Sequence, residues 1–172
     1  MVNKLLSVKV LLPVVIAGMI CAAINEWSPQ QNWGYYNGTA SAPKGFYRII
    51  NDQTELSIDQ YVIIPVPENV REFVYGRGWS KVETRLLKRV GALPGDIVTI
   101  NDEGIFVNEC YKGRVLKTDK EGLPLPQIRG TFVIQPGEFL PLSPYNRSFD
   151  GRYFGPVSQS SIQHKVNPLL TY

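Results

Sequence analysis

Ser41 and Lys88 are the residues whose type and context best suit them to covalent chemistry. Ser41 sits in Asn37-Gly38-Thr39-Ala40-Ser41-Ala42-Pro43-Lys44-Gly45-Phe46-Tyr47, which follows the one strongly apolar segment of the chain. Pro43 fixes its own backbone and biases Ala42 towards an extended shape. Gly45 allows a bend or a close approach by another group. A hydroxyl held on such a loop is a candidate nucleophile, although a plain polar turn would have the same composition. A serine nucleophile needs a base. The one histidine, His164, lies among Ser160, Ser161, Gln163 and Lys165 and reads as part of a solvated tail, so a Ser-His-Asp triad is poorly supported. A lysine base is the variant of the same logic. Lys88 lies in Arg85-Leu86-Leu87-Lys88-Arg89-Val90 and, at period two, shares a face with Leu86 and Val90. An ammonium pressed into an apolar face loses pKa, which is what a general base needs near neutral pH. Taken alone, the same pattern also fits a surface lysine on a half-exposed strand.

Further along, Lys88-Arg89-Val90 is followed by Ala92-Leu93-Pro94-Gly95-Asp96, and later by Ser148-Phe149-Asp150-Gly151-Arg152-Tyr153-Phe154-Gly155. With the Ser41 segment, these resemble, in order, the three sequence boxes of the type I signal peptidases, which are serine-lysine proteases. The first box, Asn-x-Thr-x-Ser-x-Pro-x-Gly, is closer to the conjugative-transfer (TraF-type) branch than to the housekeeping enzymes, which usually carry proline three residues after the serine. The resemblance runs from about Asn37 to Val157. It departs from the housekeeping pattern at Ser143-Pro144-Tyr145-Asn146, where a Gly-Asp-Asn run is usual, and at Gly151, which replaces a commonly polar residue.

The resemblance implies a membrane-bound serine endopeptidase that cleaves leader peptides from exported preproteins and uses neither metal nor cofactor. Ser41 would be the nucleophile and Lys88 the base. The Ser41 main-chain N–H and the Thr39 hydroxyl would stabilise the oxyanion, a place where one lost donor costs roughly a hundred- to a thousandfold in rate. Ser148 would orient the lysine amine, with Asp150 and Arg152 holding the loop. Asp150 and Arg152 could equally form a surface ion pair of little worth. Substrates would be extended segments ending in small residues, added as a strand to a sheet edge. In this branch an amine can replace water in releasing the acyl group, joining the ends of a pilin chain. Hydrolysis and cyclisation are both open, and so is the identity of the substrate, a pilin precursor being the specific candidate. The alternative from another class is a non-catalytic envelope β-domain that scaffolds a conjugation or secretion apparatus. Self-cleaving repressors share the serine-lysine pair, but they carry a DNA-binding domain where this chain has an apolar segment.

Those residues need elements to position them. A chain of 172 residues can build one domain with a real core plus an N-terminal segment. A net charge of +3 with no basic run gives no case for nucleic acid. Cys21 and Cys110 stand far apart in kind of segment, so no disulfide is expected, and no cysteine–histidine spacing suggests a metal site. Lys4 and Lys9 precede the apolar run Val10–Ile24, and Glu26 follows it. Extended back to Leu5, the run nears the length that crosses a bilayer. Basic residues before it put the N-terminus in the cytoplasm. A cleavable signal peptide with Cys21-Ala22-Ala23 at the cut also fits. Residues 1–25 are read as a retained single-pass anchor in the inner membrane, 26–36 as a juxtamembrane linker, and 37–172 as a catalytic domain on the periplasmic side. Trp27, Trp33, Tyr35 and Tyr36 would sit either at the lipid interface or on the domain.

Within 37–172 the pattern predicts a mainly β fold, a coiled and partly barrel-like antiparallel sheet behind one helix. Strands are expected at Phe46–Ile50, Tyr61–Ile64, Glu83–Val90, Ile97–Ile100, Ile105–Val107, Thr131–Ile134 and Phe139–Leu142. Asn69 is expected to cap a helix running to about Tyr75. Leu93-Pro94-Gly95-Asp96 and Asn101-Asp102-Glu103-Gly104 read as turns. Lys112–Gly130 reads as a loop, leaving no room for the extra β-domain of the larger leader peptidases.

Overall fold

Short runs of β-branched and aromatic residues, cut by glycine and proline turns, pair into two antiparallel sheets. The computed structural model describes residues 13, 34–50, 55–79 and 84–172. The apolar segment expected to cross the membrane lies outside the described residues, apart from Pro13. Among those described, no helix is long and apolar enough to cross a membrane.

The larger sheet is built from β1 (Gly34–Asn37), β2 (Gly45–Ile50), β3 (Tyr61–Pro65), β4 (Arg85–Ala92), β9 (Glu138–Leu142), β10 (Val157–Ser158) and β11 (His164–Thr171). Its order is β1-β2-β11-β3-β4-β9-β10. The smaller sheet holds β5 (Ile97–Ile100), β6 (Ile105–Val107), β7 (Cys110–Gly113) and β8 (Gly130–Val133), in the order β7-β6-β5-β8. The chain crosses from one sheet to the other at Leu93–Asp96. There Asp96 N–H donates to the Leu93 carbonyl at 3.0 Å and Gly95 takes φ +92°, the turn that a Pro-Gly centre favours. It returns between β8 and β9. Ala92, Val98, Ile100, Ile105, Val107, Ile134, Leu140 and Leu142 form the core that joins the two sheets. The described residues from Gly34 to Tyr172 form one compact unit.

The mainly β, antiparallel expectation holds, with two corrections of shape. The larger sheet does not close into a barrel: β1 lies at one edge and the two-residue β10 at the other, and they do not pair with each other. The C-terminus is not a solvated tail. β11 lies between β2 and β3, with His164 opposite Ile63 and Val166 fully buried. Its sequence hides this, because most of its side chains are exposed and Pro168 interrupts it. Gly45 has the close approach expected of it. At φ +136°, an added Cβ would stand 2.1 Å from the Leu170 carbonyl of β11.

Helix α1 (Glu68–Gly76) follows Pro65 and Pro67 and buries Val70 and Val74 against Val66 and Phe154. Asn69 is not its cap. Pro67 holds that position without a side-chain bond, and the Asn69 amide instead donates to the Phe154 carbonyl at 2.9 Å. A long-range partner outcompeted the local one. Tyr35 and Tyr36 belong to β1, where the sequence shows no clean period. The 112–130 segment begins as the end of β7, ends on the first residue of β8 and is irregular between them, with one isolated bridge between Thr118 and Pro124.

Candidate active site

The loop between β1 and β2 is tied by one buried amide. Asn37 is 1% exposed, and its Nδ2 lies 3.0–3.1 Å from the carbonyls of Thr39, Ala42 and Pro43. Its Oδ1 accepts from the Thr39 N–H at 3.1 Å and from the Thr39 hydroxyl at 2.8 Å. Three carbonyls on one side and an N–H on the other fix which way the amide faces. Oδ1 can only accept, so the Thr39 hydroxyl gives its proton there. The bond of 2.9 Å between Thr39 Oγ1 and Ser41 Oγ is then donated by Ser41. Tyr47 adds an outer tie, its hydroxyl donating to the Pro43 carbonyl at 2.7 Å. Ala42 is buried against Tyr47, Ile63 and Leu87, which seats the loop on the sheet. Among the described residues no acceptor meets the Ser41 N–H.

Lys88 is in the middle of β4, opposite Val62, and its face carries Leu86 and Val90 into an apolar cluster. It is 3% exposed. Burial drives its pKa down from 10.5 to about 8, against an upward pull from Asp150 and with a further downward push from Arg152. The amine donates to Ser148 Oγ at 2.8 Å. Ser148 is itself buried, in a turn closed by its N–H on the Tyr145 carbonyl.

Asp150 and Arg152 are both completely buried and ion-paired, with Arg152 Nε 2.8 Å from Asp150 Oδ1. They are not the surface pair that the sequence left open. Asp150 also caps the short helix α2 (Gly151–Phe154), accepting from the Arg152 N–H, and its Oδ2 accepts from the Ser143 N–H at 2.9 Å. Burial pushes its carboxyl up, while Arg152 and Lys88 oppose that shift. Arg152 spends its other nitrogens on the carbonyls of Arg114 at 3.0 Å and Ser143 at 2.8 Å. Gly151 also has a steric reason. A Cβ there would lie 2.6 Å from the Pro141 carbonyl, so the turn into α2 passes too close to β9 for a side chain.

Ser143 joins these parts. Antiparallel pairing sets Arg89 against Leu142, so the next step along the ladder brings Ser143 alongside Lys88. Its hydroxyl donates to the Ser41 carbonyl at 2.6 Å across 102 residues. All six residues named from the sequence thus fall into two linked clusters. Thr39 and Ser41 form one, Lys88, Ser148, Asp150 and Arg152 the other. Among the described residues no hydrogen bond joins Ser41 to Lys88: Ser41 Oγ bonds Thr39 and Lys88 Nζ bonds Ser148. His164 makes no hydrogen bond to Ser41. Asn37 and Ser143 were missed as site residues. The Asn-x-Thr spacing of an Asx turn could have pointed to Asn37, but the Ser143 bond has no local signal.

A hollow of about 330 Å³ borders this site, lined in part by Asp59, Arg89, Tyr111, Leu142 and Ser143. A larger one of about 500 Å³, walled by Trp79, Phe149 and Tyr153, includes neither Ser41 nor Lys88. Among the described residues no group of histidine, cysteine or carboxylate side chains is arranged to hold a metal.

Residues 5–170 match the family model described as signal peptidase, peptidase S26. The chain is 37% identical over 170 residues to a plasmid transfer protein TraF of Escherichia coli, covering 92% of this chain and 94% of that one. It is 33% identical over 147 residues to a second E. coli plasmid transfer protein TraF, covering 79% and 82%. A crystal structure of a signal peptidase I from Enterococcus faecalis V583 superposes with a TM-score of 0.41 at 21% identity. That match covers 67% of this chain and 100% of the other, a likeness too loose to add to the fold argument.

Proposed function

The chain belongs to the S26 signal peptidase family, in its TraF branch, and from that premise we propose that it is a membrane-bound serine endopeptidase that removes leader peptides from exported preproteins. It sits in the inner membrane by one N-terminal span, with residues 37–172 on the periplasmic side. Its preferred substrate is a pilin precursor. The observation that carries this reading is Lys88, an amine buried to 3% exposure, with its pKa brought down to about 8 and a hydrogen bond made to a serine. Burying a lysine in an apolar sheet destabilises a domain, so its presence calls for a chemical use.

In the proposed reaction the Ser41 hydroxyl leaves Thr39 and turns to the neutral Lys88 amine. Lys88 takes the proton as Oγ attacks the scissile carbonyl. The oxyanion is met by the Ser41 N–H, and by the Thr39 hydroxyl once its proton turns away from Asn37. Lys88 then gives its proton to the leaving amine, and an acyl ester remains on Ser41. Water releases the acid in hydrolysis, whereas the substrate's own amine would release a ring. A sheet edge next to the loop, such as β1, offers main-chain groups for an extended substrate.

The absent Ser41–Lys88 bond favours a second reading, a non-catalytic envelope domain that scaffolds a conjugation apparatus. Processing in membranes separates the two. The wild type, Ser41→Ala and Lys88→Met are co-expressed with candidate pilin and secreted preproteins, and product masses are read. Cleavage by the wild type and none by either folded variant supports the dyad, and a product lighter by one water than the cut chain supports cyclisation. Equal processing by all three makes the scaffold the better account.

A further inference from the structure

Resting on the peptidase reading, we propose that Ser143 is a positioning residue for Ser41, and that through its hydroxyl the buried Asp150–Arg152 pair sets the nucleophile's main chain. The Ser143 N–H is held by Asp150 Oδ2 at 2.9 Å, and its carbonyl by Arg152 Nη2 at 2.8 Å. Its main chain is therefore clamped on both sides by an ion pair with no exposure. Its hydroxyl projects from that clamp and donates to the Ser41 carbonyl at 2.6 Å. The same oxygen accepts from the Tyr145 N–H at 3.2 Å, which orients it. The other side-chain ties on the 38–43 loop come from Asn37 and Tyr47, at the two ends of the same hairpin. Among the described residues, the Ser143 bond is the hydrogen bond that references this loop to the strand beside Lys88.

This gives the ion pair a use in the reaction that its own contacts do not show. Neither Asp150 nor Arg152 hydrogen-bonds Ser41 or Lys88. Pinning the Ser41 carbonyl holds the main chain of the loop in place while the hydroxyl turns away from Thr39. The position is also where this chain departs from the housekeeping pattern, so the contact is read from this chain's own serine.

The test uses the full-length protein in detergent micelles, as wild type, Ser143→Ala, Ser143→Thr and Ser41→Ala. Two properties are measured. One is amide hydrogen exchange in residues 37–47. The other is kcat and KM on an internally quenched peptide with alanine one and three residues before the cut. In Ser143→Ala, exchange in the loop is expected to rise roughly tenfold and kcat to fall by a similar factor, the size of the lost bond to the Ser41 carbonyl. KM and the melting temperature should stay near wild type, and Ser143→Thr should restore both readouts. Unchanged loop exchange in Ser143→Ala overturns the proposal, as does an unchanged kcat in an enzyme that depends on Ser41. If the wild type does not cut the peptide, or Ser41→Ala cuts it equally well, the peptidase reading fails instead. The exchange result still decides whether Ser143 holds the loop.

Discussion

The two halves of the site are built on opposite plans. The nucleophile loop is partly exposed and polar, and apart from the Ser143 bond to Ser41 its side-chain ties are local, with Asn37 reaching no further than Pro43. The lysine pocket is buried, and its contacts are long in sequence: Lys88 to Ser148 spans 60 residues and Arg152 to Arg114 spans 38. Chemistry accounts for the difference. A lysine is a base near neutral pH only if water is kept from its charged form. A serine can attack only if a substrate can reach it. One region must therefore spend stability on burial, and the other is held mostly by a local turn, with one long-range bond from Ser143.

The largest expected effect comes from removing either reacting group. Ser41→Ala and Lys88→Met should each lower the rate of processing by about 10⁴-fold or more, the scale seen when one member of a coupled serine–base unit is lost. Their stabilities should diverge. Ser41→Ala changes little, whereas Lys88→Met replaces a buried cation with an apolar side chain of similar length and should leave the domain as stable or more so. Thermal melts alongside the processing assay check both. A Lys88→Met protein that melts well below wild type would mean that the amine serves the fold rather than the reaction.

The Asp150–Arg152 pair comes next. Removing one partner leaves the other charge buried without compensation, at a cost of about 3–5 kcal/mol. Asp150→Asn or Arg152→Met should therefore lower denaturant stability by that order. The exposed Asp59–Arg89 pair offers the internal control: Asp59→Asn removes a surface ion pair and should cost less than about 1 kcal/mol. Similar losses from the two pairs would end the contrast between a dry pocket and a wet surface.

How far the sequence foretold this follows the same division. The turns at Leu93–Asp96 and Asn101–Gly104, and the strands Ile97–Ile100 and Ile105–Val107, were legible because turn chemistry and period-two burial are local. The face that Lys88 shares with Leu86 and Val90 was legible for the same reason. β11 was not, because its place between β2 and β3 comes from main-chain pairing rather than from an alternating core face. The Ser143–Ser41 bond joins positions 102 apart, and the full burial of Asp150 and Arg152 depends on β9 and on the 114 carbonyl. Charged residues give no sequence sign that they will be dry.

The pH response should reproduce the contrast in a single protein. With Lys88 at about 8, the neutral base is a minor form at lower pH, so kcat/KM should rise about tenfold per pH unit and level off above 8. The stability effect has a definite sign. The folded pKa lies below the unfolded value of 10.5, so between about 8 and 10.5 the unfolded chain binds more protons, and stability rises with pH across that window. Below 8 the full penalty applies, on the order of 3 kcal/mol for a shift of this size. Lys88→Met should lose this rise, while Ser41→Ala should keep it. Denaturant melts at pH 7, 9 and 10 in the three proteins show which.

The smallest effect tests the loop's side of the contrast. Thr39→Val removes the hydroxyl that accepts from Ser41 now and would donate to the oxyanion later. One lost oxyanion donor is worth about a hundredfold in kcat. KM should hold, since the hydroxyl matters most when charge develops. Thr39→Ser keeps the oxygen and should stay within about threefold of wild type. Stability should move by no more than about 1 kcal/mol, because the Asn37 amide still ties the carbonyls of residues 39, 42 and 43. A Thr39→Val protein that cleaves normally would leave the Ser41 N–H as the oxyanion donor and reduce Thr39 to a turn residue. One that unfolds would show that the loop leans on this hydroxyl as heavily as the pocket leans on its ion pair, and the two regions would no longer differ in kind.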